Sequence, residues 1–244
     1  MRKHVDFLVL GSGIAGLTFA LKAAKHGKVC IITKQKKDDT ATSYAQGGIA
    51  AVMYNPDTYE KHIQETIIAG DGLCDEQIVR LVITESTDRV KELIRWGAKF
   101  DKTNTGRYDL AKEGGHSEFR VLHHKDSTGR EIENTLLEQV LRHPNIELLE
   151  DHFAIDIITQ HHLGMEVNRK TPDIRCYGAY VLDPRTRLIH TILAKVTMIA
   201  TGGTGQVYAT TTNPPISTGD GIAMVYRAKG TIDNMEFIQF HPTA

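Results

Sequence analysis

The sequence predicts an α/β fold: a Rossmann-like, mostly parallel sheet with flanking helices and a smaller antiparallel β excursion near residues 174–192. Three observations predict it. The apolar run 5–10 passes into a glycine turn and then an Ala/Leu-rich stretch. A second strand-like run, 29–33, follows one helix length later. A third apolar run, 196–200, again ends in glycines, at Thr201-Gly202-Gly203. Strands that alternate with helical patterns and carry glycine turns at their carboxyl ends are the pattern of a doubly wound sheet.

Residues 5–10 read VDFLVL, and five of the six are apolar. That length and branching suit a buried strand and fall far short of a membrane span. The run leads into Gly11-Ser12-Gly13-Ile14-Ala15-Gly16, spaced G-x-G-x-x-G between a strand and a helix. Gly11 lets the chain turn sharply, Gly13 lets a pyrophosphate approach the backbone, and Gly16 lets the helix pack on the sheet. The pyrophosphate then sits at the positive pole of the helix. A plain tight turn is the competing reading, and the strand–turn–helix context favours a dinucleotide site. The helix is expected over 17–26 with Gly27 as its C-cap. NAD sites usually end the next strand with an acid for the ribose hydroxyls. Lys34 stands there instead, which argues against ordinary NAD but not against a flavin nucleotide.

Segment 40–51 is small, polar and glycine-rich. It reads as a surface loop or, more sharply, as a backbone cradle around a ring system, with Gly47-Gly48 allowing close approach. Helices are expected over 59–69 and 75–96. Asp75 would cap the second, Gly97 would stop it, and Ile78, Leu81, Val82, Val90, Leu93 and Ile94 would form its buried face. Residues 108–129 hold Glu113, His116, Ser117, Glu118, Arg120, His123, His124, Lys125 and Asp126. They read as a solvated loop. No metal-ligand spacing occurs there, so no metal is expected. A helix over 132–141 and strands over 146–149 and 153–159 follow. An exposed hairpin or insertion is expected over 164–173, an antiparallel pair over 176–182 and 188–192, and the buried strand 196–200. Asp220 opens a helix over 222–229, where it caps or faces a ligand. A last strand is expected over 234–240.

Bulk properties narrow the function. The chain has 244 residues, 41% of them hydrophobic, with a net charge of -1, so no general attraction to nucleic acid or an anionic membrane is expected. The cysteines Cys30, Cys74 and Cys176 are scattered and odd in number. They suggest neither a disulfide framework nor a zinc knuckle, and a reducing, cytoplasmic setting is the simplest. Met1-Arg2-Lys3-His4 is basic, but Asp6 interrupts the apolar run that a signal peptide needs.

Seven motifs, in order, together resemble the flavoprotein family of succinate dehydrogenase, fumarate reductase and L-aspartate oxidase. They are GSGIAG (11–16), SYAQGGIAA (43–51), EGGHS (113–117), DSTGREI (126–132), IATGG (199–203), STGDGIAM (217–224) and EFIQFHPTA (236–244). The resemblance implies an FAD-binding domain over 1–236 that lacks its C-terminal segment, and the start of a substrate-capping domain at 237–244. The chain would then be the first, incomplete part of a longer enzyme, with little or no activity alone.

Two details resemble the L-aspartate oxidase branch. Glu113 matches an acidic residue near the substrate amino group, absent where the substrate has no amine, and a partly desolvated carboxylate suits an ammonium. Ala41 stands where succinate dehydrogenases carry the histidine that attaches FAD covalently, which implies noncovalent FAD. The implied ligand is L-aspartate or another C4 dicarboxylate, and the implied reaction oxidises L-aspartate to iminoaspartate. The electrons go to oxygen or fumarate, and the product feeds quinolinate and NAD biosynthesis, with quinolinate synthase as a partner. By the same carry-over, Gly11, Ser12, Gly13, Ala15 and Gly16 hold the pyrophosphate. Lys34 and Ala41, Thr42, Ser43, Tyr44, Ala45, Gln46, Gly47 and Gly48 line the FAD. Ala154, Thr201 and Gly202 touch it through backbone, and Asp220 contacts it. Glu113 and His241 are the implied catalytic and substrate-binding residues, with Thr243 a further substrate ligand. The alternatives are a fumarate reductase or succinate dehydrogenase flavoprotein, and a noncatalytic flavin-binding fragment.

Overall fold

The computed structural model of the chain describes residues 2–168 and 170–240. His241 and Thr243 lie outside the described residues. The elements begin β1 (Arg2–Leu10), α1 (Ile14–Ala23), β2 (Val29–Ile32), α2 (Ala41–Tyr44), β3 (Ile49–Ala50), α3 (Tyr59–Ala69) and α4 (Glu76–Trp96). They continue β4 (Leu110–Ala111), β5 (Val121–Leu122), α5 (Thr128–Arg142), β6 (Ile146–Leu149), β7 (Phe153–Ile158), β8 (Gly178–Asp183), β9 (Leu188–Ile199) and α6 (Asp220–Arg227). The chain forms two compact units, one of residues 1–41 and 136–244 and the other of residues 42–135.

The first unit holds a six-stranded sheet in the order β6-β2-β1-β9-β8-β7. The pairs β6·β2, β2·β1 and β1·β9 are parallel, and β9·β8 and β8·β7 are antiparallel. The expected α/β class with a β excursion is therefore present. The antiparallel and parallel strands share one core: Ile157, Ala179, Val181 and Ile192 lie in one buried cluster with Leu8, Leu10, Cys30 and Ile32. Burying each large aliphatic side chain contributes about 1.5–3 kcal/mol.

Several expectations in this unit need correction. Runs 188–192 and 196–200 are one twelve-residue strand, β9. It has partners on both sides, β8 through Leu188–Leu193 and β1 from Thr191 to Ile199, so the ladder continues through the polar Lys195, which pairs with Asp6 at 2.7 Å. α1 ends at Ala23, with Ala24 and not Gly27 as its cap. Gly27 answers to a different need, since a Cβ there would lie 2.4 Å from an Asp6 carboxylate oxygen. The described residues of 164–173 carry no strand, which leaves the insertion and not the hairpin, and 234–240 form no strand. Asp220 is the first residue of α6 and does not cap it; the cap position is Gly219, with φ at 75°.

In the second unit, α3 and α4 match the apolar periodicity, and Asp75 caps α4 by accepting from the N–H groups of Gln77 and Ile78. The buried face of α4 is displaced from the expected one. Ile83, Thr87, Val90 and Leu93 are buried, whereas Ile78, Leu81 and Val82 are exposed. The expected solvated loop supplies β4 and β5, which form a three-stranded sheet with β3 in the order β3-β5-β4, and Arg120, just before β5, is fully buried. Among the described residues no helix is long and apolar enough to cross a membrane.

Candidate cofactor site

In the first unit, three turns meet at the carboxyl end of the parallel strands. β1 ends at Leu10, between Ile32 of β2 and Ile199 of β9. Gly11 then turns with φ at 111° and donates its N–H to the Ile32 carbonyl at 2.8 Å. A Cβ on Gly11 would stand 2.2 Å from the Ala200 carbonyl oxygen, so no side chain fits there. A Cβ on Gly16 would stand 2.1 Å from the Gly11 carbonyl oxygen, which is the close helix–turn contact that the spacing requires. Gly13 occupies the N-cap of α1 without a side-chain cap, and no acid lies in the first turn. The positive pole is therefore free of an internal counter-charge, as an anion site needs. Ala15 is exposed, while Ser12 is buried and donates its hydroxyl to the Lys37 carbonyl at 2.9 Å.

The second turn carries Lys34, just past β2. Its ammonium donates to Asp220 at 2.5 Å and to Thr218 at 2.6 Å, and the Thr218 hydroxyl donates to the other Asp220 oxygen at 2.8 Å. This ties β2 to the start of α6. The third turn follows β9. Gly221 packs so tightly on it that a Cβ would meet the Thr201 hydroxyl at 2.1 Å. Gly202, with φ at 73°, and Gly203 have nothing within 4 Å of a Cβ position, so this backbone faces open space. Ala154 lies at a register shift in β7, a bulge that disturbs the ladder locally. Ala154 and Asp220 line one cleft of about 350 Å³, along with Asp156 and Arg227.

The unit thus brings together the glycine turn, Lys34, Thr201, Gly202, Asp220 and, in the adjoining cleft, Ala154. Sequence reasoning missed Thr218, which completes the Lys34–Asp220 contact. It also missed Arg227, whose guanidinium donates to Asp156 at 2.9 Å and to the Ile155 carbonyl at 3.0 Å. A basic residue in the last turn of a short helix gives no sequence signal of its own. The open glycine backbone, the uncapped helix pole and the small-residue contacts fit a dinucleotide pyrophosphate.

In the second unit, Ala45, Gln46, Gly47 and Gly48 form an exposed stretch after α2. Gly129, in the first turn of α5, presses on it: its N–H donates to the Ala45 carbonyl at 2.9 Å, and a Cβ there would sit 1.9 Å from the Thr42 carbonyl. Thr42 and Ser43 are half-buried and Tyr44 is exposed. Ala41 closes the first unit and is exposed.

Glu113 opens a tight turn, its carbonyl accepting from the His116 N–H at 3.1 Å, with Gly115 at φ 85°. The Glu113 side chain is exposed, so the partly desolvated setting expected for it is not found. The far side of this turn is anchored firmly. Arg120 donates to both Asp57 oxygens, at 2.8 and 3.0 Å, and to Glu65 at 2.7 Å. Ser117 donates to Glu65 through its backbone, at 3.1 Å, and through its hydroxyl. Burial raises the Glu65 pKa, but the Ser117 and Arg120 contacts outweigh it and hold the carboxyl below its ordinary value.

Comparison with known proteins gives the site a family. The FAD-binding domain family matches residues 6–244. The chain belongs to that family. The FAD-binding domain is 50% identical over 242 residues to an L-aspartate oxidase of Nicotiana tabacum, covering 99% of this chain and 36% of that protein. It is 47% identical to an L-aspartate oxidase of Ralstonia nicotianae, covering 98% of this chain and 44% of the relative. Among solved structures, the E. coli quinol fumarate reductase superposes with a TM-score of 0.85 at 28% identity, covering 93% of this chain and 37% of that one. The chain thus spans well under half the length of these relatives.

Proposed function

We propose that this FAD-binding domain serves an L-aspartate oxidase, holds FAD without a covalent bond, and contributes Glu113 to substrate selection. When bound, FAD supplies the two-electron acceptor for the oxidation of the amino acid. The pyrophosphate lies against the backbone of Gly11, Ser12, Gly13, Ala15 and Gly16 at the pole of α1. Lys34, Asp220, Thr201, Gly202 and Ala154 contact the rest of the nucleotide from the first unit. Residues Ala41, Thr42, Ser43, Tyr44, Ala45, Gln46, Gly47 and Gly48 line it through small groups and backbone. Ala41 has no nucleophile, which supports noncovalent binding. Glu113 pairs with the substrate ammonium. His241 binds a substrate carboxylate, and Thr243 assists. The product is iminoaspartate, electrons continue to oxygen or fumarate, and the product enters the quinolinate branch of NAD biosynthesis through quinolinate synthase.

The observation that carries this reading is the acidic Glu113 in a chain half identical to an L-aspartate oxidase. The test is anaerobic bleaching of the flavin band by L-aspartate and by succinate, in the whole protein and its Glu113→Gln variant. A charged hydrogen bond is worth about 1.5–3 kcal/mol, so the variant should lose roughly 10- to 150-fold in kcat/KM for L-aspartate. Equal bleaching by succinate, or an equal loss for both substrates, would assign the chain to a fumarate reductase or succinate dehydrogenase flavoprotein. The likeness to quinol fumarate reductase favours that second reading.

A further inference from the structure

We infer that His152, Asp183 and His190 form a binding site for a divalent transition metal of the zinc type, separate from the dinucleotide site. The ladder brings the three side chains together. His190 pairs with Val181, and Asp183 lies two residues along β8 from Val181, hence on the same face. His152 precedes the Phe153–Leu182 pair, so its place in the ladder is opposite Asp183. The positions are 31 and 7 residues apart in sequence, which hides them from any search for ligand spacing.

The potential ligand atoms, one from each residue, all lie within 4.8 Å of one another. A tetrahedral site with bonds near 2.1 Å needs ligand atoms about 3.4 Å apart. Modest side-chain rotation closes the difference. The donor set of two imidazoles and a carboxylate suits zinc and its neighbours better than calcium or magnesium.

Three further observations suit a ligand role. His152 is buried at 7% exposure, and its Nδ1 lies 2.6 Å from the Glu150 carbonyl. An Nδ1–H donated there leaves Nε2 as the coordinating atom, the usual way a backbone carbonyl orients a metal-binding histidine. His190 Nδ1 is buried and has no hydrogen-bond partner. Asp183 is buried at 6% exposure. Its carboxylate accepts from the Arg185 backbone N–H at 3.0 Å and from the Arg185 guanidinium at 3.4 Å.

Bound metal would cross-link the tips of the three strands. It would also stiffen the end of β2, because the His152 N–H donates to the Thr33 carbonyl at 3.0 Å. The site requires neither FAD nor substrate, so its failure would leave the proposed function untouched.

The test is calorimetric titration of the EDTA-stripped, tag-free chain with Zn²⁺, and visible spectroscopy with Co²⁺. One equivalent should bind with a Kd in the micromolar range or tighter, with a tetrahedral Co²⁺ spectrum. His190→Gln and Asp183→Asn should each weaken binding by at least about tenfold. Asp183→Asn keeps an oxygen for the turn, and His190 is half-buried, so both variants should fold, as circular dichroism would verify. Millimolar affinity, or the same Kd in both variants as in the parent, would overturn the inference.

Discussion

Arg120 is the largest fully buried side chain among the described residues, and three carboxylate contacts are what allow it to be there. A buried ion pair gains little net stability, but removing one partner strands the others and costs about 3–5 kcal/mol. Arg120→Met should therefore lower unfolding stability by that amount in urea titration, and a loss under about 1 kcal/mol would show that the network is dispensable. His62 lies beside it. Burial first, and then the Arg120 guanidinium, push the imidazole below its ordinary value of 6.5. The unfolded chain then binds the proton more readily than the folded one. This contribution is complete above about pH 6.5 and is lost as pH falls through the lower folded value. His62→Gln should flatten the stability curve just below pH 6.5, and an unchanged slope there would refute this assignment. Glu65, also held low, adds its own loss below its ordinary value of 4.5. None of this was legible in the sequence. Arg120 stands among charged neighbours, and only its distant partners Asp57 and Glu65 make burial affordable.

Helices and turns were the most legible scale. The range of α3, the Asp75 cap and the left-handed Gly97 at φ 116° follow from periodicity and capping chemistry. The glycine turn followed from its spacing, and its geometry explains why substitution fails. In Gly11→Ala, the positive φ and the 2.2 Å approach to Ala200 act together. That variant should lose flavin binding and at least about 1–3 kcal/mol of stability. Normal flavin retention would contradict the role given to this turn. The face of α4 was less legible, because its first half is apolar on a side that nothing in its own unit covers. Periodicity reports which residues share a stripe and not which part of the stripe is packed. The split reading of β9 failed for a related reason. Lys195 looks like a strand break in isolation, but β1 pairs with the residues on either side of it, Ala194 and Val196, and carries the ladder past it.

For the whole molecule, the fold class followed from strands and glycine turns, and the family from seven motifs in order. The division into two units did not, because it depends on contacts between residues 1–41 and 136–244, far apart in sequence. The His152–Asp183–His190 cluster was hidden for the same reason. The central claim is that the turns at the carboxyl end of the parallel strands hold FAD without a covalent bond. The most direct test is the visible spectrum of the purified chain, supplemented with FAD and desalted, before and after acid precipitation. A flavin band that stays with the native chain and moves to the supernatant in acid is the expected result. Flavin that remains in the pellet, or a chain that retains none after desalting, would contradict it.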